Sequence, residues 1–238
     1  MGVMRRPDQE TGELIMNPYL DFYERRLHHE KVCEQARKLS FDDERPARWS
    51  TCKCTGSTAS VDEPCKKFAW AVPNEKALTA IADHSPRGVV EIGAGGGYWT
   101  KMLRDRGVDV IAYDPAPHVS DWHEGAWAEV LLGDHTAVIG HSDRTLLTVW
   151  PEYDAAWSHK MIELFEGEKV IYVGEGSGGC TGDGRFHQLL GQDSCFCWGA
   201  DGCTCEPGSA LFKEIATVGI PQWAGIHDYL AVHQRLEA

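Results

Sequence analysis

Apolar runs and polar breaks alternate through the middle of the chain. Gly88-Val89-Val90-Glu91-Ile92 is apolar apart from one acid and reads as a strand covered on both faces. A glycine cluster follows, then the helical stretch Tyr98-Trp99-Thr100-Lys101-Met102-Leu103-Arg104, which Gly107 stops. Residues 108–114 predict the next strand, ending in the carboxylate of Asp114 just before Pro115. Parallel strands need a helical crossover of this kind, so the unit predicts the opening βαβ of a doubly wound sheet. Residues 128–132, 144–150 and 169–174 repeat the rhythm as third, fourth and fifth strands, and 226–234 alternates like a late strand.

The flanks differ. Residues 17–39 mix Leu20, Phe22, Tyr23, Leu27, Val32 and Leu39 with many charges, which predicts one or two amphipathic helices, whereas 40–67 is polar and reads as an irregular connection. After the short apolar run 68–73, Asn74 is placed to cap a helix through Ile81. The predicted organisation is an N-terminal helical and irregular extension over 1–67 and a three-layer α/β domain with a mainly parallel sheet over 68–238. A cysteine-rich insertion near 191–208 precedes the final strands.

Composition changes this picture little. Hydrophobic residues at 42% and charged residues at 25% are ordinary for a folded domain. The net charge of -13 repels phosphate backbones and disfavours nucleic acid as the main partner. No apolar stretch reaches membrane-spanning length and the N-terminus has no signal-peptide core, so the expected location is cytoplasmic.

The chemistry concentrates at Glu91-Ile92-Gly93-Ala94-Gly95-Gly96-Gly97. A turn that brings backbone against a ligand needs residues without a Cβ, and Gly93, Gly95 and Gly97 supply them at alternate positions. The following helix start offers free N–H groups, and Asp114 stands where an acid would accept hydrogen bonds from ribose hydroxyls. The dinucleotide fingerprint is not met, because Tyr98 occupies the place of its last glycine.

On these residues the chain resembles the class I S-adenosylmethionine-dependent methyltransferases, whose first motif is an acid ending a strand followed by G-x-G-x-G. Glu91, Gly93, Gly95 and Gly97 match it position by position. The resemblance, running from about Pro73 to Val173, implies a Rossmann-like methyltransferase fold with S-adenosylmethionine as cofactor. It places Glu91 near the methionine end, Gly93, Ala94 and Gly95 against the methionine and ribose, Asp114 on the ribose, and Asp134 near the adenine amine. Many relatives that methylate nitrogen carry Asp/Asn-Pro-Pro-aromatic after the fourth strand. Here Val149-Trp150-Pro151-Glu152-Tyr153 stands in its place, which argues against an amide-type nitrogen and leaves the acceptor open.

Trp150 and Tyr153 are candidates for an aromatic wall against the acceptor, with buried core the alternative for Trp150. The glycine-rich segment after residue 174 brings Glu175, Asp183 and His187 forward as candidate acceptor-binding or proton-handling groups, with a solvated loop charge or a helix cap the alternative for each. His227 is a candidate base beside Asp228, but neighbours on a strand face opposite ways, so the two are not expected to pair and a satisfied lone histidine is the alternative. Cys195, Cys197, Cys203 and Cys205 form two C-x-C pairs able to converge on a structural zinc, with free thiols the alternative. Cys52, Cys54 and Cys65 are candidates for further ligands from the N-terminal extension. The resulting expectation is methyl transfer to a small molecule or a protein side chain, against a non-catalytic binding module on the same fold.

Overall fold

The computed structural model describes residues 16–39, 62–117, 120–192, 210–223 and 225–237, and of residues 29–39 and 62 the backbone alone. In chain order the elements are α1 (Pro18–Leu39), α2 (Asp62–Lys67), α3 (Glu75–His84), β1 (Val89–Ile92), α4 (Tyr98–Arg104), β2 (Val110–Asp114) and β3 (Leu131–Leu132). There follow β4 (Thr145–Val149), α5 (Trp157–Leu164), β5 (Lys169–Gly174), α6 (Gly184–Leu189), β6 (Phe212–Gly219) and β7 (Tyr229–Arg235), with a short 3-10 turn at His135–Val138. Seven strands form one sheet in the order β3-β2-β1-β4-β5-β7-β6. β1 to β5 run parallel, and β7 is antiparallel to both β5 and β6. This is the three-layer, doubly wound, mainly parallel sheet that the βαβ rhythm and the glycine-turn resemblance imply.

Alternation along β1 divides the core. Val89 joins a cluster with Leu78, Trp99, Leu103 and Tyr19 on one sheet face, while Val90 and Ile92 join Met161, Ile162 and Phe186 on the other. α3 and α4 thus cover one face and α5 and α6 the other, as opposite-going crossovers require. α1 is held against the first cluster by Tyr19, which stacks on Phe68 at 4.8 Å, and by its Asn17 cap, whose amide donates to Pro73 O at 2.9 Å. Tyr98 accepts from Tyr19 N at 3.0 Å and donates to Asn17 Oδ1 at 2.8 Å. The residue in place of the dinucleotide fingerprint's last glycine is therefore a buried anchor for the N-terminal helix.

Three elements depart from the sequence expectation. Part of the stretch read as irregular is helical, α2, with Asp62 and Pro64 in its first turn, a place that tolerates a missing N–H. The third strand is cut to Leu131–Leu132, both exposed, because it pairs only with Tyr113 and Asp114 at the sheet edge. β6 carries no strand signature in the sequence, since it is an edge strand with one buried residue, Phe212, and a register irregularity between Glu214 and Ala216. No helix among the described residues is long and apolar enough to cross a membrane.

Candidate functional site

Strand order reverses between β1 and β4, and at the carboxyl ends of these strands a cleft of about 970 Å³ opens. That edge is where open parallel sheets bind ligands. Its floor is the glycine turn. Gly93 and Gly95 have φ of +75° and +54°, where a side chain is strained, and a Cβ on Gly93 would stand 3.1 Å from the Trp157 ring. A Cβ on Gly96 would lie 2.6 Å from Gly125 O, and one on Gly97 2.8 Å from the Val130 side chain. Gly96 and Gly97 thus let the segment after β2 close over the turn, where Trp127 N donates to Gly96 O at 2.7 Å. Glu91, Gly93, Ala94, Gly95, Asp114 and Asp134 line the cleft, and Gly97 serves packing behind it.

The acids are placed differently. Asp114 ends β2, and its carboxylate accepts from Gly95 N through one oxygen and from Ala116 N through the other, each at 2.8 Å. Each oxygen keeps a lone pair for a further donor. Glu91 is 1% exposed and accepts from the Thr100 hydroxyl. Burial raises its carboxyl to about 7, with the Thr100 hydrogen bond opposing the shift. Asp134 is exposed and caps the 3-10 turn by accepting from Thr136 N at 2.9 Å. The Thr136 hydroxyl bonded to it holds its carboxyl below the ordinary value.

Another part of the lining is aromatic. Trp150 follows β4 at φ +54°, rare for a bulky residue and costly by roughly 1–3 kcal/mol unless its surroundings enforce it. Its N–H bonds Val173 O at 2.8 Å and its indole Nε1 donates to Asp228 Oδ1 at 2.8 Å. Asp228 is buried, and desolvation raises its carboxyl to about 7. Trp150 stacks on Trp70 at 5.2 Å, and Trp122 lies tilted against Trp70 at 6.1 Å. Tyr153 is 70% exposed at the mouth. His123, only 7% exposed, sets Nε2 against Ala116 O at 2.8 Å, and its Nδ1 is buried without a hydrogen-bond partner among the described residues.

The remaining candidates lie elsewhere. Glu175 is buried beside β5, where its two oxygens accept from His227 N and Cys180 N, each at 2.7 Å, tying two loops together. Asp183 caps α6 through Phe186 N at 2.7 Å and meets His159 Nδ1 at 2.5 Å. His187 has both ring nitrogens engaged, with Thr181 O and Gln192 Oε1. The His227 side chain is exposed, and Asp228 turns away from it to Trp150. None of these four lines the cleft. Cys195, Cys197, Cys203, Cys205, Cys52 and Cys54 fall outside the described residues. Trp70, Trp122, His123 and Trp157 come from separate segments and share no motif that marks them in the sequence.

No protein-family profile and no curated protein matches the chain. Solved structures do, at low identity. Magnesium protoporphyrin IX methyltransferase from Synechocystis PCC 6803 with bound SAM is 13% identical, with a TM-score of 0.42, over 68% of this chain and 77% of that one. The 1,6-didemethyltoxoflavin-N1-methyltransferase of Burkholderia thailandensis, solved with its acceptor and S-adenosylhomocysteine, is 14% identical at a TM-score of 0.42, covering 68% and 78%. An rRNA methylase from Streptococcus thermophilus is 13% identical at a TM-score of 0.37, covering 68% and 95%.

Proposed function

We propose that the protein is an S-adenosylmethionine-dependent methyltransferase acting on a small molecule or a protein side chain. The observation that carries this reading is the cleft at the strand-order reversal, floored by a glycine turn whose Gly95 N–H is bonded to Asp114 on the neighbouring strand. The residues suit the cofactor. Gly93 and Gly95 keep the floor free of side chains, Asp114 retains acceptor capacity for ribose hydroxyls, and the buried Nδ1 of His123 awaits a partner. The volume stands near the upper end of the roughly 300–1,000 Å³ that ligand pockets span, enough for a cofactor with an acceptor beside it.

When bound, the cofactor supplies a methyl group on a sulfonium, open to in-line displacement. The chain's part is then to align and to exclude water. Glu91 holds a carboxyl at the inner end of the turn, Asp134 stands at the far side, and Trp70 and Trp150 wall the acceptor's side. Trp157 closes over Gly93, its Nε1 donating to Glu152 Oε2 at 2.5 Å. The non-catalytic alternative is decided by the same experiment. Calorimetric titration with S-adenosylmethionine and S-adenosylhomocysteine should give one saturable site, weakened at least tenfold by Gly95→Val and by Asp114→Ala. Unchanged affinity in both folded variants removes the assignment.

A further inference from the structure

The cleft has an unusual lining. Beyond Glu91, Asp114 and Asp134 on the cofactor's side, two exposed carboxylates, Asp121 and Glu152, face the cavity, and among the described residues no lysine or arginine does. Five of the chain's nine tryptophans line the same space. Part of the lining is Trp70 stacked on Trp150, with the half-exposed Trp122 beside them. Trp150 does not rest there passively, because a left-handed backbone and the bond to buried Asp228 hold its ring in position.

Indole faces are negative and attract cations, and surrounding carboxylates add to that attraction. An anionic acceptor, carboxylate or phosphate, would be repelled and would find no fixed positive partner. Resting on the methyl-transfer reading above, we propose that the acceptor is a small molecule with a basic amine on an apolar body, seated against Trp70, Trp150 and Trp122, and methylated on that nitrogen. The charge balance agrees. The lone pair of the neutral amine forms the new N–C bond while the C–S bond breaks and its electron pair stays with sulfur. Positive charge therefore passes from sulfur to nitrogen, and the product ammonium gives up its extra proton to solvent. Walls that hold a cation throughout favour this reaction over methylation of an anion, in which charge is lost. An amine bound as its ammonium must first lose a proton, which Asp121 and Glu152, both exposed at the mouth, are placed to pass to water.

The test uses the full chain saturated with S-adenosylhomocysteine and three probes of similar size, followed by tryptophan fluorescence and calorimetry. The probes are phenethylamine, benzyltrimethylammonium, which accepts no methyl group, and hydrocinnamate, which is anionic. Both cations should bind at least about tenfold more tightly than hydrocinnamate, and Trp70→Leu should remove most of that preference. Trp122→Ala, at an exposed position, provides the same comparison should the first variant fold poorly. Equal or tighter binding of hydrocinnamate, or a cation preference that survives both substitutions, overturns the inference while bound S-adenosylhomocysteine leaves the methyltransferase reading standing. Failure of S-adenosylhomocysteine itself to bind sinks both.

Discussion

Glu91 offers the sharpest handle on the site, because it is buried and yet adjoins the cleft. Its carboxyl lies at about 7 in the folded chain, against 4.5 when free, with desolvation the main cause. The folded state therefore prefers the protonated acid. The stability this provides is complete below pH 4.5 and is lost as pH rises through about 7. Each pH unit between those limits is worth about 1.4 kcal/mol, so the ionised residue costs the fold about 3 kcal/mol at pH 8. Glu91→Gln keeps the shape and an acceptor for the Thr100 hydroxyl while removing the charge. In urea denaturation the variant should match the wild type near pH 4.5 and exceed it by up to about 3 kcal/mol near pH 8. Asp228 titrates in the same direction in both proteins, so the difference between them isolates Glu91.

The same carboxyl links pH to ligand binding. A cationic amino group of the cofactor settling beside Glu91 favours the ionised form and draws its titration downward. Affinity for S-adenosylhomocysteine should then rise by up to about tenfold per unit between roughly pH 5 and 7 and level off above. Calorimetry in buffers of differing ionisation enthalpy should register proton release on binding below pH 7 for the wild type and none for Glu91→Gln. Parallel affinity profiles for the two proteins, or a stability difference that does not vary with pH, would refute the reasoning.

Other expectations follow from single contacts. Tyr98→Phe removes the hydroxyl that bonds Tyr19 N and Asn17, leaving a buried N–H unpaired; a loss of about 1–3 kcal/mol in denaturant unfolding is expected. Gly96→Ala drives a Cβ against Gly125 O, a backbone atom that cannot swing aside, and should cost about 1–3 kcal/mol while weakening cofactor binding; a variant as stable as wild type would contradict the closure described. Asp114→Ala and Gly95→Val should each lower cofactor affinity at least tenfold, with circular dichroism unchanged.

The parts of the fold legible in the sequence are those in which burial is continuous along the chain. β1, its glycine turn, α4, β2 and β5 were all read from local runs, since a strand covered on both faces leaves an unbroken apolar signature. β6 left no such signature, because seven of its eight residues are at least partly exposed on an edge strand. The floor of the cleft was legible for the same reason as β1, with Gly93, Gly95 and Asp114 lying at the ends of local elements. Its walls were not, because Trp70, Trp122, His123 and Trp157 meet only through tertiary closure. Glu175, Asp183 and His187 were expected near the ligand because they follow a parallel strand. Strand order reverses at β1 and β4, however, and the segment before β7 is bonded over the end of β5 through Glu175 and His227. Polar residues there cap and tie loops.

The most direct test is a crystal structure of the chain soaked with S-adenosylhomocysteine. Density for the ribose within hydrogen-bonding distance of Asp114, the homocysteine tail over Gly93 and Gly95, and the sulfur facing the Trp70 and Trp150 wall is the predicted result. A cleft that stays empty at millimolar ligand, or density seated elsewhere on the sheet, would contradict the account.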